Sequence, residues 1–353
     1  MSASVMPLPS EDLDHVLAHT RVLWNEARER CFFLTGGTGF FGMWLLESFA
    51  RVNDALELNA KAVVLTRDTV AFARKAPHLA GRKDISFIQG DVRSFEFPEG
   101  HFDYVIHAAT EASAKLNSEA PDEMLDVIVG GTRRVLQFAK EARIKKFLLT
   151  SSGAVYGYQP RDLTHISEQY RGGPDPLSPE SAYGIGKSIS EHLCAVHALQ
   201  QHYEMKIARC FAFVGPHLPL DAHFAVGNFI RDAMQGNAVR IGGDGSPMRS
   251  YLYASDLAVW LWTVLFRGES HRAYNVGSPD DISIEELGRT VASLVTPQVD
   301  VVIAKPKVDD LLPLRYVPDV ARVGRELSLF SRITLREAIL KTISWHREAD
   351  KLL

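Results

Sequence analysis

Short apolar runs recur along the chain at residues 31–34, 61–66, 85–89, 103–107, 146–151 and 206–211. They rarely alternate apolar with polar positions, the pattern of parallel strands buried on both faces. Helical periodicity occupies the stretches near 40–52, 121–142 and 180–202. Strand and helix in alternation predict an α/β fold, a Rossmann-type doubly wound parallel sheet. Residues 1–9 read as disordered. Ser10, followed by Glu11 and Asp12, starts a helix whose acidic first turn suits the helix dipole. That helix is expected to run to about Arg28 and to pack on the core through Leu13, Val16, Leu17, Val22, Leu23 and Trp24. No internal repeat or low-complexity segment appears.

After about residue 155 the pattern changes. Segment 157–180 is rich in Pro, Gly and Ser and reads as a long surface loop, and 214–224 carries Gly215-Pro216-His217-Leu218-Pro219. Long loops beside a parallel sheet are more often functional than accidental. The expected division is an N-terminal helical extension (1–29) and a dinucleotide-binding domain (30–175, with 180–212 and roughly 250–265 returning to it). A smaller C-terminal substrate lobe, interleaved with it in sequence, takes 213–249 and 270–350.

Composition narrows the function classes. The 353 residues are 46 % hydrophobic and 23 % charged, ordinary for a globular protein, and the net charge of −4 gives no basis for nucleic acid as a partner. No apolar stretch approaches the ~20 residues that span a bilayer, and the N-terminus lacks a basic region followed by an apolar run. No membrane association and a cytoplasmic location are therefore expected. Cys31, Cys194 and Cys210 are far apart in apolar contexts and read as buried thiols of a reducing compartment. His192, His197 and His202 are five apart and drift around a helix, so no metal site is expected.

Chemistry concentrates in two places. Thr35-Gly36-Gly37-Thr38-Gly39-Phe40-Phe41-Gly42 joins the apolar run 31–34 to a helical pattern beginning Met43-Trp44-Leu45-Leu46. Strand, glycine turn and helix in that order fit a dinucleotide. Glycines allow backbone to approach a pyrophosphate, and the helix N-terminus offers free N–H groups to phosphate oxygens. The second place is Ser152, Tyr183 and Lys187. Ser152 follows the apolar strand Phe147-Leu148-Leu149-Thr150, at the end where ligands bind in open α/β sheets. Tyr183 and Lys187 are four apart on a helix started by Ser178-Pro179-Glu180-Ser181, so they share a face. An ammonium near a phenol is expected to lower the tyrosine pKa from ~10 toward neutrality, making Tyr183 an acid/base. By itself a Tyr-x-x-x-Lys spacing is common on helices by chance.

Together these motifs resemble the extended short-chain dehydrogenase/reductase fold in the nucleotide-sugar epimerase/dehydratase family, over roughly residues 30–345. Within the resemblance, Gly36, Thr38, Gly39, Phe40, Phe41 and Gly42 hold cofactor, Asp91 and Val92 of Gly90-Asp91-Val92 face adenine, and His107-Ala108-Ala109 ends the strand beside the cofactor. Ser151-Ser152-Gly153-Ala154-Val155-Tyr156-Gly157 is similar to the catalytic serine segment, and Tyr183 with Lys187 to the catalytic pair, Lys187 also binding the nicotinamide ribose. Gly227-Asn228-Phe229-Ile230 and the block Gly243-Asp244-Gly245, Arg249-Ser250-Tyr251-Leu252-Tyr253, Asp256 resemble the segments that grip a nucleotide diphosphate, with Asn228 and Arg249 as substrate residues. An arginine fork suits phosphate oxygens. Arg315, near Pro318-Asp319, is a further candidate for the same task, or a solvated loop charge. Thr110, Glu111 and Ser113 lie where substrate should approach, with Glu111 a substitute acid/base or a solvated loop carboxylate. Helices near 121–142 and 180–202 commonly form a four-helix dimer interface in this family, and on that resemblance a homodimer is expected.

Four departures from the family pattern shape the reading. After Val63-Val64-Leu65 the acid that bonds the adenosine ribose is replaced by Thr66, followed by Arg67, which suits a 2′-phosphate; NADP is favoured, and Asp68 leaves NAD possible. Where dehydratases carry an Asp-Glu pair and decarboxylases a glutamate, this chain has Gly153 and Ala154, which cannot move protons. Ile128 and Ala212 each stand where asparagine is usual. The expected function is an NAD(P)-dependent oxidoreductase acting at C4 of a nucleoside-diphosphate sugar, as a 4-epimerase or a 4-ketoreductase. The alternatives are a 4,6-dehydratase or decarboxylase with relocated acid/base, or a non-catalytic NAD(P)-binding sensor.

Overall fold

The apolar runs pair into one sheet. The computed structural model describes residues 6–110, 114–222, 224–307 and 311–351. Its main strands are β1 (Cys31–Thr35), β2 (Lys61–Thr66), β3 (Ile85–Gln89), β4 (Tyr104–His107), β5 (Lys146–Ser152), β6 (Glu204–Cys210) and β7 (Arg272–Val276). They lie in the order β7-β6-β5-β4-β1-β2-β3, and every neighbouring pair is parallel. The chain runs outward from β1 in one direction and from β4 in the other. Thr35 is in register with His107, so the turns after β1 and β4 sit side by side at the switch point where such sheets bind ligands.

Six strands stand where the apolar pattern predicts them. The seventh does not: residues 272–276, expected in the smaller lobe, pair with β6 at the edge of the main sheet. Its sequence, Arg-Ala-Tyr-Asn-Val, is too polar for the apolar-run criterion, and its place is set by packing. The expected helix over 121–142 is also interrupted. It forms Pro121–Leu125, a wide π turn at Asp126–Gly130, and Gly131–Glu141. A Cβ on Gly131 would stand 2.8 Å from Val92 Cγ1, so close packing against that valine accounts for the glycine.

The largest core lies on the face covered by the helices Phe40–Leu56 and Ala254–Arg267. The second carries Ala258-Val259-Trp260-Leu261-Trp262 and is buried on all sides, as a helix apolar all round must be. Trp24, from the tight helical segment Arg21–Ala27 that follows Ser10–Thr20, lies 4.6 Å from Trp262 ring to ring. The extension does pack on the core, but residues 6–9 depart from the expected disorder. Leu8 is buried and its N–H donates to Glu47 Oε2 at 2.7 Å, while Pro7 O accepts from Trp345 Nε1 at 3.0 Å. One buried leucine in a short segment leaves no periodic trace, and only its tertiary partners order it.

The loop expected over 157–180 is not simply surface. Gln159 and Ile166 are buried, Ile166 N donates to Val317 O at 2.9 Å, and Gln159 Oε1 accepts from Val317 N at 3.0 Å. It is stitched to the segment that carries a short strand, Arg315–Tyr316. That strand pairs in parallel with Met248–Ser250, which pairs on its other side with Asp281–Ser283.

Gly42 tests how tightly the helix Phe40–Leu56 sits on the turn. A Cβ there would lie 2.2 Å from Gly37 C, against backbone that cannot yield. Gly42→Ala is expected to lower stability by about 3 kcal/mol. Gly243→Ala, where a Cβ meets nothing within 4 Å, is expected to stay near wild type. Urea denaturation midpoints of the two variants check this.

Candidate active site

The turn after β1 is built by contacts within the protein as much as by room for a ligand. Gly36 has φ of +73°, and a Cβ there would meet Ala108 C at 2.5 Å and Ala109 N at 2.6 Å; at Gly37 it would meet Val64 Cγ1 at 2.4 Å. The sequence reading assigned these glycines to pyrophosphate approach, yet at Gly36, Gly37 and Gly42 it is the protein that excludes a side chain. Gly39 is different, because a Cβ there meets nothing closer than Gly36 O at 3.6 Å. Gly39 begins the helix Phe40–Leu56, and no side chain caps that N-terminus. Thr38 O accepts from Lys75 Nζ at 3.3 Å, placing beside the turn a cation that the sequence reading missed. Phe40 and Phe41 pack on one another, and Phe41 on Phe213.

At the end of β4 the His107 ring is enclosed. Its Nδ1 lies 2.7 Å from Thr35 Oγ1 and its Nε2 3.2 Å from Thr132 Oγ1. Ala109 N donates to Thr35 Oγ1 at 3.1 Å, which ties Ala108 and Ala109 to the glycine turn. Burial, aided by the Lys187 charge, lowers the His107 pKa to about 3, so the ring is neutral. Thr110 follows with its hydroxyl buried and without a hydrogen-bond partner. Glu111 and Ser113 fall outside the described residues.

The structure brings Ser152, Tyr183 and Lys187 together. Lys187 is buried and donates to Thr150 O at 2.9 Å, with its Nζ 5.9 Å from the Tyr183 ring centre. Asn117 Oδ1 accepts from Tyr183 N at 3.0 Å at the start of the helix Ala182–Gln201. The expected lowering of the tyrosine pKa is not found. Burial pushes the Tyr183 hydroxyl up to about 12, partly offset by its hydrogen bond with Ser152, and burial lowers Lys187 to about 8. The physical reason is desolvation, which disfavours phenolate and ammonium alike and is the largest cause of both shifts. Ser152 Oγ also accepts from Ala154 N at 3.1 Å.

The remaining candidates divide. Asp91 receives Arg93 through Nε at 2.9 Å and Nη2 at 2.8 Å; the guanidinium holds its carboxyl at about 2, and Arg67 adds to the effect. Val92 packs on Gly131. Asp68 caps the helix Thr69–Lys75 by accepting from Ala71 N at 2.8 Å. Arg249 is half-buried; its Nη1 donates to Met248 O at 2.8 Å and, among the described residues, no carboxylate pairs with it. Asn228 Oδ1 accepts from Arg231 Nη1 at 3.3 Å. Arg315 is ion-paired with Asp281 at 2.7 Å, while its neighbour Tyr316 brings its hydroxyl to 3.4 Å from Ser152 Oγ. Successive strand residues point to opposite faces, so only one of the two can face Ser152. The sequence alone predicts no strand at 315–316, and the pairing of Tyr316 with Arg249 is what turns this side chain toward Ser152.

Residues 32–277 match the sequence model of the NAD dependent epimerase/dehydratase family. The chain is 30 % identical over 337 residues to UDP-glucuronic acid decarboxylase 6 of Arabidopsis thaliana, covering 95 % of this chain and 91 % of that one. Its fold is similar to a Thermus thermophilus UDP-glucose 4-epimerase solved with NAD (TM-score 0.74, 25 % identity, 90 % of this chain and 99 % of that one). It is also similar to a Thermotoga maritima UDP-glucose 4-epimerase solved with UDP-glucose (TM-score 0.75, 22 % identity, 90 % and 99 %).

The neutral His107 makes stability depend on pH. Its folded pKa lies below its unfolded value of 6.5, so the unfolded chain binds the proton first as pH falls. The contribution is complete above pH 6.5 and is lost progressively toward about pH 3, at up to about 1.4 kcal/mol per pH unit. The stability difference between wild type and His107→Gln is expected to shrink across that window, as measured by denaturant melts at stepped pH.

Proposed function

The chain belongs to the NAD-dependent epimerase/dehydratase family, and on that premise we propose that it oxidises C4 of a UDP-hexuronic acid and releases the C6 carboxylate as carbon dioxide. The observation that carries the reading is the Ser152–Tyr183–Lys187 group beside the glycine turn, with Ser152 and Lys187 buried and Tyr183 half-buried. The relatedness to a UDP-glucuronic acid decarboxylase along nearly the whole chain supports the substrate class.

The residues fit a dinucleotide. The open side of Gly39, the uncapped helix end at Phe40 and Phe41, and the Lys187 ammonium would hold it, with Ala108 and Ala109 alongside and Asp91 and Val92 toward the adenine. When bound, the nicotinamide supplies a carrier that takes the C4 hydride and returns it. Tyr183 receives the O4 proton as the C4 carbonyl forms, and Ser152 donates to the same oxygen. Carbon dioxide then leaves from the carbon beside the ketone. The electrons of the C5–C6 bond pass into the C4 carbonyl, which Ser152 and Tyr183 stabilise. No base has to remove a carbon proton in that step, so Gly153 and Ala154 do not forbid it. C5 then takes one proton from water, the net proton the reaction consumes, and the proton held by Tyr183 returns to O4 with the hydride. A 4,6-elimination, by contrast, needs an acid and a base that these two residues cannot provide.

The same absence of a carboxylate at Gly153 and Ala154 favours a second reading, simple 4-epimerisation or 4-keto reduction, in which the tyrosine alone handles the proton. Arg67 at the end of β2 is the feature that favours NADP; NAD is the cofactor bound by the structural relative from Thermus thermophilus. Arg249, half-buried and without a carboxylate partner among the described residues, supports a diphosphate contact, and Asn228 is proposed for the same ligand. Ile189, Val196 and Leu199 are exposed on the outer side of the helix Ala182–Gln201, which supports a homodimer through this helix.

Incubation with UDP-glucuronic acid and either NAD or NADP is expected to give carbon dioxide and a UDP-pentose by mass spectrometry. Tyr183→Phe is expected to slow the reaction about 100-fold or more. UDP-galacturonic acid formed without gas release would replace this reading with the epimerase. Leu199→Glu is expected to convert a dimer to a monomer in sedimentation velocity, and an unchanged mass would place the interface elsewhere.

A further inference from the structure

Ser152 stands between two phenols. On one side its hydroxyl bonds Tyr183; on the other, Tyr316 OH lies 3.4 Å from its Oγ. Tyr316 comes from the far end of the sequence, on the strand Arg315–Tyr316 in register with Arg249, whose guanidinium carbon lies 6.0 Å from the Tyr316 ring centre. The ring packs on Phe211, centre to centre at 4.7 Å. Its approach depends on Gly153. A Cβ at that position would lie 2.8 Å from Tyr316 OH and 2.8 Å from the edge of Phe211. The bare backbone beside Ser152 is therefore occupied space, filled by a hydroxyl from the other end of the chain.

A proton inventory gives this contact a direction. A serine hydroxyl has one proton and two lone pairs. Ser152 Oγ already accepts from Ala154 N at 3.1 Å, which uses one pair. A phenol is a stronger acid than an aliphatic alcohol and is the better donor, so the Tyr316 proton goes to the second pair. With both pairs filled, Ser152 has only its proton left to offer, and that proton points toward Tyr183 and the reacting oxygen. The 3.4 Å separation exceeds the ~2.8 Å of a relaxed O–H···O bond. Such bonds commonly tighten only around bound substrate.

We propose that Tyr316 is a positioning residue of the active site, whose hydroxyl locks Ser152 as a hydrogen-bond donor, to Tyr183 in the free protein and to the substrate oxygen at C4 once substrate binds. The inference rests on the proposed C4 oxidation for its kinetic consequence, but not for its effect on Tyr183. Tyr316 acts through Ser152, so its loss and the loss of the serine are not independent. The ring of Tyr316→Phe keeps its packing on Phe211 and under Arg249, leaving the missing hydroxyl as the change.

The test has two arms. In the substrate-free arm, the Tyr183 Cζ resonance of ring-labelled protein, assigned by its disappearance in Tyr183→Phe, is titrated with pH. Tyr316→Phe is expected to move the Tyr183 midpoint upward, Ser152→Ala likewise, and the double variant no further than Ser152→Ala alone. In the kinetic arm, Tyr316→Phe is expected to lower kcat about five- to tenfold with KM nearly unchanged, and to have no additional effect in the Ser152→Ala background. Gly153→Ala, which pushes the Tyr316 hydroxyl away while leaving it in the sequence, is expected to reproduce the titration shift. An unmoved Tyr183 midpoint in both Tyr316→Phe and Gly153→Ala, or effects of Tyr316→Phe and Ser152→Ala that simply add, would overturn the proposal. Failure of the wild-type protein to turn over any nucleotide sugar would overturn the functional reading and leave the titration arm to decide this one.

Discussion

One buried carboxylate holds the reacting groups in register. Glu191 lies two turns beyond Tyr183 and one beyond Lys187 on the helix Ala182–Gln201. It accepts from Arg209 of β6 at 2.6 Å and from Ser151 of β5 at 2.6 Å. Arg209 also donates to Tyr156 OH at 3.0 Å, and Tyr156 donates to Asn275 of β7 at 2.7 Å. A buried charge left unpaired is costly, so any slip of the helix along the sheet would break several bonds at once. The helix therefore has one permitted position, and in it Tyr183 and Lys187 face the end of β5, where Ser152 stands. Ser151 and Ser152 divide the labour by strand alternation: the first faces the anchor and the second faces the chemistry.

Burial then sets the electrostatic character of the site. Desolvation raises Tyr183 and lowers Lys187 to about 8, so the phenol stays protonated while the lysine remains mainly an ammonium at neutral pH. His107 beside them is neutral for the same reason. Among these groups the hydroxyls of Ser152, Tyr183 and Tyr316 hold most of the hydrogen-bonding capacity, and the direction of their protons decides what the site can stabilise. A ligand oxygen that gains negative charge would find donors already oriented toward it, which is the condition for electrostatic catalysis without reorganisation.

The two ends of the chain meet at this core. The N-terminal segment is tied by Leu8 to Glu47, by Asp12 to Tyr253 and by His15 to Asp256, while Trp345 closes over Pro7. Glu47 belongs to the helix that starts at the glycine turn, so the extension braces that helix from outside. The C-terminal segment contributes Tyr316 in the same manner from the other side, through the strand paired with Arg249. The parallel sheet thus supplies only part of the site, and distant segments complete it.

The order of amino acids alone settles what local chemistry can carry. Apolar runs flanked by helical periodicity placed β1 to β6, because a strand buried on both faces must be apolar whatever surrounds it. The turn at residues 35–42 and the Tyr183/Lys187 spacing were legible for the same reason: glycine turns and one-turn helix spacings are short-range geometry. Whatever depends on a partner distant along the chain had to wait for the packed molecule. Packing placed polar β7 in the sheet, ordered residues 6–9, and set the pKa of Tyr183, where the burial that dominates comes from the whole fold. It also chose Tyr316 over Arg315 to face Ser152, since strand alternation states only that the two residues point apart, and the register with Met248–Ser250 decides which of them turns inward.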